Sequence, residues 1–396
     1  MPESTSPAVY DRAILWVAHP TLMLQRVGGM SVLERQLFTA SRAGVRTIWI
    51  SMIRPPEADS GLRVPEGLEV RWLPKGGGEL TECAPPYLGL SGDHFLRVET
   101  LAHVARARSA ESLTYEDASG FGVAQVTLTR DEATARAKLP LPEDSYLRLE
   151  SPIDGEETVD WLLLEGPKAQ DGFMARHFDR HLSLSVSRRL LDTSVSPNMM
   201  TLLSTAVGAL GAALFLLPGR SWGVLGALTI WLHSVLDGCD GELARVRFQQ
   251  SPLGADLDFW GDNVVHLALF TGLGFGLRRA HGPVALALAA AADAGAAASA
   301  LTAWRRRRAL RRPGATGPEA EVAGEPEGKP LASRLARLEN ALAQRDFIYL
   351  LLAAAALGLT YEFLWAAAAG SALYFAVMFY LGRIEHESSP SPNPAG

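Results

Sequence analysis

The chain has 396 residues, of which 48% are hydrophobic and 20% are charged, and its formal net charge is −6. This negative balance argues against a general nucleic-acid-binding protein, which is usually basic. The two cysteines, Cys83 and Cys239, exclude a disulfide-rich secreted scaffold and a cysteine-based zinc cluster. Charged residues concentrate in residues 1–190 and in one later loop, and long apolar runs fill the rest. We therefore expect a soluble N-terminal half followed by a membrane domain.

Residues 1–165 are predicted to form a cytoplasmic α/β domain. Met1–Asp11 has no basic segment before an apolar core, so it does not resemble a signal peptide. Short apolar runs alternate with segments of helical periodicity, which indicates β-α-β units and a parallel sheet. The predicted strands are Ala13–Ala18, Val45–Ile53, Leu68–Leu73 and Tyr87–Leu90, and the predicted helices are Ser31–Ala43 and Phe95–Arg106.

Residues 166–196 are predicted to form amphipathic linker helices at the membrane interface, because basic and large apolar side chains alternate there. An ordinary connector helix is the alternative. Residues 197–386 are predicted to form an all-α domain of six transmembrane helices, since a span needs about 20 mostly apolar residues. The predicted spans are Met199–Pro218, Trp222–Leu236, Phe259–Leu277, Pro283–Trp304, Phe347–Thr360 and Phe363–Leu381. Residues 387–396 are expected to be a disordered tail.

The arginine run Arg305–Arg308 predicts the orientation of these spans. Positively charged loops lie on the cytoplasmic side, so the loop after span four and both termini are expected inside the cell. Arg278 and Arg279 fall on the outer side in this arrangement and count slightly against it. The expected location is the inner, cytoplasmic membrane.

The most informative segment is Asp237–Asp262, where four aspartates end the second span and begin the third. Asp237 and Asp240 are three positions apart, and Asp258 and Asp262 are four apart, so each pair lies on one helix face. A short loop joins the two antiparallel spans, so we expect the four carboxylates to meet at the cytoplasmic boundary. Converging carboxylates repel each other unless cations lie between them, and Mg²⁺ or Mn²⁺ suits such a set.

Small and basic residues surround these aspartates. Gly241, Ala244 and Gly254 leave room for a ligand close to the backbone, and the guanidinium of Arg245 suits a phosphate. One alternative is that the aspartates only cap helices and form salt bridges, although Arg245 and Arg247 would neutralise only part of their charge. A carboxylate-lined transporter or channel is another alternative, but an ion pathway does not require this frame of glycine, alanine and arginine.

The spacing resembles the signature of the CDP-alcohol phosphotransferase family. In this chain it reads Asp237-x2-Asp240-Gly241-x2-Ala244-Arg245-x8-Gly254-x3-Asp258-x3-Asp262. The segment Pro197-Asn198-x2-Thr201 resembles the entry to the first span in the same family. The resemblance covers roughly Lys168 to Arg383, and six spans are also typical of the family.

The resemblance implies an enzyme that moves a phosphoalcohol group from a CDP-alcohol onto the hydroxyl group of a second alcohol and releases CMP. It implies that Asp237, Asp240 and Asp258 bind two divalent ions, Mg²⁺ or Mn²⁺, that hold the CDP pyrophosphate. Asp262 would be a metal ligand or the base that takes the acceptor proton. The residues implied to line the nucleotide pocket are Gly241, Ala244, Arg245, Gly254 and Asn198. The family commonly forms homodimers, so we expect one here.

The residues do not fix the acceptor. Arg345 and the run Arg305–Arg308 lie at the predicted cytoplasmic ends of spans five and four. Both are candidates to bind a phosphate on an acceptor such as inositol phosphate or glycerol phosphate. The alternative for Arg305–Arg308 is a cytoplasmic anchor. The polar residues inside spans are predicted to be interhelical hydrogen-bond partners: His233, Asn263, His266 and Asp293.

The N-terminal domain resembles nucleotidyltransferases of the sugar-phosphate type. Val27–Ala43 resembles their VGG-x-x-LLER helix, and Ser91–His94 resembles their metal-binding aspartate turn. Its fusion to a membrane transferase is similar to the bifunctional inositol-1-phosphate cytidylyltransferase/di-myo-inositol phosphate phosphate synthase group, whose first domain makes CDP-inositol from CTP. The Gly-rich loop that holds a triphosphate is missing, because His19–Val27 contains no glycine and Gln25-Arg26 replaces the expected lysine. We therefore predict a degenerate, inactive domain, and a bifunctional enzyme is the alternative.

Overall fold

The computed structural model describes residues 10–56, 61–73, 83–129, 137–150, 153, 155–164, 178–310 and 347–388. The chain divides into two compact units, Glu3–Glu165 and Gly166–Gly396. The first unit is an α/β structure and the second is helical, as predicted. Of the predicted 305–345 loop and 387–396 tail, only residues 305–310 and 387–388 are described.

The first unit is built on a seven-stranded mixed sheet with the strand order β10-β8-β9-β6-β1-β4-β5. The strands are β1 (Arg12–Trp16), β2 (Arg26–Val27), β3 (Met30–Ser31), β4 (Thr47–Ile50), β5 (Glu69–Trp72), β6 (Tyr87–Ser91), β7 (His94–Leu96), β8 (Leu113–Glu116), β9 (Gly122–Thr127), β10 (Ala137–Pro140) and β11 (Tyr146–Arg148). The predicted strands β1, β4, β5 and β6 run parallel. β9 runs antiparallel to β6 and β8, so the sheet is not purely parallel as predicted.

Among the described residues, four α-helices accompany the sheet, and they are α1 (Pro20–Leu24), α2 (Val32–Arg42), α3 (Val98–Arg106) and α4 (Gly155–Leu163). A capping box fixes the start of α2: Ser31 Oγ accepts from the Glu34 amide at 3.1 Å, and a Glu34 carboxylate oxygen accepts from the Ser31 amide at 2.9 Å. The predicted helix Phe95–Arg106 is wrong at its start. Phe95 lies in β7 and pairs with Leu147 of β11, because a short apolar run fits a strand as well as a helix.

In the described part of the second unit, seven helices follow in order. They are α5 (Arg180–Leu190), α6 (Pro197–Leu214), α7 (Arg220–Val246), α8 (Pro252–His281), α9 (Pro283–Leu310), α10 (Phe347–Leu357) and α11 (Thr360–Ser388). The six predicted spans lie in α6 to α11. The helical segments long and apolar enough to cross a membrane are Pro197–Leu214, Pro283–Ala309 and Thr360–Leu381, and α10 is a shorter apolar helix. Passage of all six helices through a membrane stays a prediction.

In the described part of the second unit, a shared apolar core joins the six helices α6 to α11. Its fully buried members include Ala227 of α7, Leu269 of α8 and Ala292 of α9, together with Leu351 of α10 and Leu364 of α11. Small alanines alternate with leucines in this core, so the helix backbones approach closely. This core holds α7 and α8, the two helices that carry the four aspartates.

Candidate active site

The four aspartates lie on two helices joined by a tight turn. α7 continues beyond Leu236 to Val246, so Asp237 and Asp240 lie inside the helix rather than after it. Within the turn, Phe248 has a φ of 52°, the left-handed conformation that reverses a chain direction within few residues. Ser251 then caps α8, since its Oγ accepts from the Gly254 amide at 3.0 Å.

Three of the four carboxylates form one group. In the described part of the chain, oxygens of Asp237, Asp240 and Asp258 all lie within 4.8 Å of one another. Asp237 and Asp240 are only 4% and 6% exposed, and Asp258 is half-buried. Buried carboxylates this close are strongly unfavourable without a compensating cation, and oxygen ligands are those that Mg²⁺ and Mn²⁺ prefer. The residues present therefore fit a divalent metal.

A threonine from α6 orients one of these carboxylates. The Thr201 hydroxyl donates to Asp240 Oδ2, and the Gly241 amide donates to Asp240 Oδ1 at 2.5 Å. Both Thr201 and Asp240 are buried. A carboxylate with a donor on each oxygen has little rotational freedom, so α6 contributes directly to the geometry of the site. Sequence analysis included Thr201 in the segment before the first span but assigned it no role.

Asp262 is not a member of the three-carboxylate group. Its Oδ1 lies 3.6 Å from Nε2 of His233, whose Nδ1 lies 2.9 Å from the Ser204 carbonyl oxygen. A carbonyl only accepts, so Nδ1 carries a proton and Nε2 faces Asp262. His233 thus connects α7, α6 and α8, in agreement with its predicted place as an interhelical partner, and it adjoins the carboxylate that sequence analysis names as metal ligand or base.

Glycines bring the three helices together at the site. A Cβ atom at Gly261 would lie 2.5 Å from Thr205 Oγ1, so α8 and α6 touch there without room for a side chain. A Cβ atom at Gly254 would lie 3.0 Å from Asn198 Oδ1. The predicted pocket residues Asn198 and Gly254 are therefore neighbours across the α6–α8 contact.

The other predicted pocket residues lie on α7. Gly241, Ala244 and Arg245 are half-buried in its last two turns, on the stretch that follows Asp240. They follow the carboxylates of α7 in the sequence, and their predicted role in the nucleotide pocket stays a prediction. Arg345, the predicted acceptor residue, lies outside the described residues.

Two charged residues of α7 have partners that sequence analysis missed. Glu242 is buried and accepts hydrogen bonds from Ser183 and Ser187 of α5, at 2.8 and 2.6 Å. Arg247 is also buried and donates to the carbonyl oxygens of residues 190, 191, 193 and 195 at 2.5 to 2.9 Å. Arg247 therefore fixes the chain between α5 and α6. The sequence feature that could have revealed the partners of Glu242 is the pair Ser183 and Ser187, which are four residues apart and therefore lie on one face of α5.

A further buried carboxylate joins α5 to α10. Asp179 Oδ1 accepts from Trp231 Nε1 at 3.0 Å and from the Tyr349 hydroxyl at 2.5 Å. Trp231 lies on α7 about one and a half turns before Asp237. α5 therefore runs along α7. The location of α5 at the membrane interface stays a prediction.

The arginine run at the end of α9 packs on aromatic rings. The guanidinium carbon of Arg307 lies 4.5 Å from the centroid of the Phe259 ring, and that of Arg308 lies 4.7 Å from the Trp304 ring. Phe259 directly follows Asp258. Arg307, which belongs to the predicted cytoplasmic anchor, therefore lies beside Phe259, the residue that follows the metal-group carboxylate Asp258.

The aspartate turn of the first unit follows β6. His94 is buried, with its Nε2 3.3 Å from Asp117 Oδ2. Asp93 Oδ1 is buried and lacks a hydrogen-bond partner among the described residues. The fully buried Met23 of α1 packs over the turn, since a Cβ atom at Gly92 would lie 3.3 Å from its terminal carbon. The short helix α1, which contains no glycine, thus follows β1.

Comparison with known families decides the class of the second unit. Residues 194–373 match the model of the CDP-alcohol phosphatidyltransferase family. This segment is a CDP-alcohol phosphatidyltransferase domain. It contains α6 to α10 and all four aspartates, and its match confirms the family resemblance drawn from their spacing.

Relatives of this chain include two kinds of named protein. A bifunctional IPC transferase and DIPP synthase of Rubrobacter xylanophilus is 36% identical over 248 residues, which cover 59% of this chain and 52% of that protein. Phosphatidylinositol phosphate synthase of Mycobacterium tuberculosis is 30% identical over 101 residues, which cover 26% of this chain and 46% of that enzyme. This chain thus spans about half the length of each of these two relatives. A crystal structure of the mycobacterial synthase with CDP-DAG bound covers 55% of this chain and 98% of that chain, at 21% identity and a TM-score of 0.36.

Proposed function

We propose that this chain is an integral membrane CDP-alcohol phosphotransferase. It transfers a phosphoalcohol group from a CDP-alcohol to an alcohol acceptor and releases CMP. The observation that carries the proposal is the group Asp237, Asp240 and Asp258, whose oxygens all lie within 4.8 Å. This group lies inside the segment that matches the family, which favours a transferase over a transporter or channel.

Asp237 and Asp240 of α7 and Asp258 of α8 would hold two divalent ions, Mg²⁺ or Mn²⁺. When bound, such ions hold the CDP pyrophosphate and stabilise the charge that develops on the leaving CMP. Thr201 keeps Asp240 in its orientation by hydrogen bonding, so the chain presents a preformed set of oxygen ligands.

Asp262 would take the proton from the acceptor hydroxyl. It stands outside the three-carboxylate group but one helical turn from Asp258, and its side chain is 28% exposed, so a hydroxyl has access to it. Nε2 of His233 lies 3.6 Å from Oδ1 of Asp262. Arg245 would bind a phosphate of the nucleotide, and the remaining pocket residues, Gly241, Ala244, Gly254 and Asn198, would let the ligand approach the backbone.

An acceptor that carries a phosphate, such as inositol phosphate or glycerol phosphate, agrees with the basic residues near the site. The contact of Arg307 with Phe259 supports this choice, because it holds a guanidinium beside the helix that carries Asp258. Arg345, just before α10, would be a second phosphate ligand. The Arg305–Arg308 run also supports a cytoplasmic site, a cytoplasmic first unit and insertion in the inner membrane, and we expect a homodimer.

The first unit would be nucleotidyltransferase-like in fold without making the CDP-alcohol. The glycine-free α1 and the buried Met23 at the aspartate turn support loss of the triphosphate site. Similarity to proteins named as bifunctional IPC transferase and DIPP synthase supports the alternative, in which this unit makes CDP-inositol from CTP. Release of pyrophosphate from CTP and inositol phosphate by the full chain would decide for the alternative, and its absence would support an inactive unit.

The proposed activity is tested by CMP release from purified full-length protein in detergent with Mn²⁺. The donors are CDP-diacylglycerol and CDP-inositol, and each is offered with inositol phosphate, glycerol phosphate or inositol. CMP formed only from CDP-diacylglycerol would identify a phospholipid synthase. CMP formed only from CDP-inositol with inositol or inositol phosphate as acceptor would identify a phosphodiester of two inositols as product. Absence of CMP with every pair, from protein that binds Mn²⁺ and is monodisperse, would contradict a transferase of these donors.

A further inference from the structure

The side of α7 that faces away from the metal group carries a buried carboxylate of its own. Glu242 is 4% exposed, and each of its two oxygens accepts one serine hydroxyl of α5, Ser183 at 2.8 Å and Ser187 at 2.6 Å. Both serines are buried as well. The carboxylate therefore bonds specifically to α5 and is not merely solvated.

Glu242 and the metal carboxylates lie on different faces of one helix. Successive residues of an α-helix are rotated by about 100°, so Glu242 stands roughly 160° from Asp240 and 140° from Asp237. On the face of α7 that carries the metal carboxylates, Asp240 accepts a hydrogen bond from Thr201 of α6. On the opposite face, Glu242 accepts hydrogen bonds from the two serines of α5. Hydrogen bonds on opposite faces fix the rotation of α7 about its own axis.

The contact between α5 and α7 is close and extends beyond Glu242. A Cβ atom at Gly238 would lie 3.4 Å from the Ser183 Cβ, and the Cys239 thiol lies 3.5 Å from the Ser183 carbonyl oxygen. Arg247 holds the residues that follow α5 through four carbonyl oxygens. α5 is therefore attached firmly enough to transmit a constraint to α7.

The site is sensitive to the rotation of α7. An aspartate carboxyl group lies roughly 5 Å from the helix axis, given a Cα radius of about 2.3 Å, so a rotation of about 10° moves it by about 1 Å. Metal–ligand distances tolerate only about 0.2 Å. Loss of the hydrogen bonds between Glu242 and α5 would therefore displace the carboxylates of Asp237 and Asp240. Glu242 itself belongs neither to the metal group nor to the proposed substrate site.

We propose that Glu242 is a positioning residue, which sets the metal carboxylates of α7 through its hydrogen bonds to Ser183 and Ser187. This inference rests on the proposed function, because it assigns to Glu242 a share in the metal affinity of that same site. It also makes α5, which precedes the segment matched by the family, part of the working transferase.

The test measures Mn²⁺ binding directly, by electron paramagnetic resonance on full-length protein in detergent, together with CMP release. Glu242→Ala and the double variant Ser183→Ala/Ser187→Ala are expected to weaken Mn²⁺ binding about tenfold or more. Glu242→Gln is expected to stay within about twofold of the wild type, because its amide accepts from one serine and donates to the other. Ser185→Ala is the matched control, since Ser185 is exposed on α5 and, among the described residues, bonds only to the His181 carbonyl oxygen.

Each outcome decides the inference. Unchanged Mn²⁺ binding in both the Glu242→Ala and the double serine variant, with normal size-exclusion profiles, overturns it. Equal loss in Glu242→Gln and Glu242→Ala also overturns it, because the charge rather than the bonding would then matter. If Glu242→Ala does not fold, Mn²⁺ binding by the double serine variant provides the test on its own. A wild type that binds no Mn²⁺ and releases no CMP would instead contradict the proposed function.

Discussion

Replacement of Thr201 by valine removes the hydroxyl that donates to the metal-group carboxylate of Asp240 and that also lies 3.2 Å from the Pro197 carbonyl oxygen. Valine keeps the shape of threonine but has no hydroxyl to donate to Asp240 Oδ2. Both residues are buried, at 2% and 6% exposure, so water does not replace the lost donor. A hydrogen bond to a charged group contributes about 1.5 to 3 kcal/mol, equivalent to roughly 10- to 150-fold in an equilibrium constant.

The lower end of this range applies when a metal ion also pairs with the carboxylate. We therefore expect Thr201→Val to raise the Mn²⁺ concentration for half-maximal CMP release about tenfold. Thr229→Val is the control, because Thr229 is exposed on α7 and, within the described part of the chain, donates only to the Leu225 carbonyl oxygen. A Thr201→Val enzyme with wild-type Mn²⁺ dependence would refute the idea that this bond orients Asp240.

Two further predictions concern stability. Gly276→Ala places a Cβ against the Phe215 carbonyl oxygen and should lower the thermal midpoint, at a cost of about 1 to 3 kcal/mol. A Cβ at Gly370 would meet no atom of the described residues within 4 Å, so Gly370→Ala should leave the midpoint unchanged. Equal midpoints for the two variants would contradict the α6–α8 contact. In the first unit, burial lowers the pKa of His94. Burial alone would raise the pKa of Asp117, but hydrogen bonds from Ser119, Phe121 and His94 outweigh it and lower that pKa to about 2. Both shifts mean that the unfolded chain binds more protons, so stability should fall as the pH drops below about 6.5 for His94 and again between about 4 and 2 for Asp117. Amide exchange of β6 and β7, corrected for its intrinsic pH dependence, should show the loss of stability below about pH 6.5, and His94→Gln should abolish this loss. Equal protection at pH 7 and pH 5 in the wild type would contradict the assignment to His94.

The metal-group carboxylates were predictable because their chemistry depends on local spacing. Asp237 and Asp240 are three apart on one helix, and a short loop returns the chain to Asp258, so helical periodicity and loop length already bring them together. Asp262 is not among the three aspartates whose oxygens all lie within 4.8 Å of one another, so the convergence of all four carboxylates stays a prediction. The contact of Asp262 with His233 depends on the packing of α7 against α8, which no local spacing encodes.

The roles of Glu242, Arg247 and Asp179 could not be predicted for the same reason. Each bonds to residues that are distant in the sequence, such as Ser183, 59 positions before Glu242. A buried charge in a helix can be paired in many ways, and the sequence does not say which neighbour lies opposite. In the first unit, the strand at Phe95 was missed because a few apolar residues fit strand and helix alike, and only pairing with β11 decides between them.

The most direct test of the proposed function is CMP release by Asp258→Asn beside Asp256→Asn. The two substitutions remove the same charge from the same helix, but Asp256 lies about 200° away from Asp258 around α8 and is not in the metal group. We expect Asp258→Asn to abolish Mn²⁺-dependent CMP release and Asp256→Asn to retain it, with unchanged size-exclusion profiles for both. Retained turnover in Asp258→Asn would contradict the assignment of the carboxylate group as the catalytic metal site.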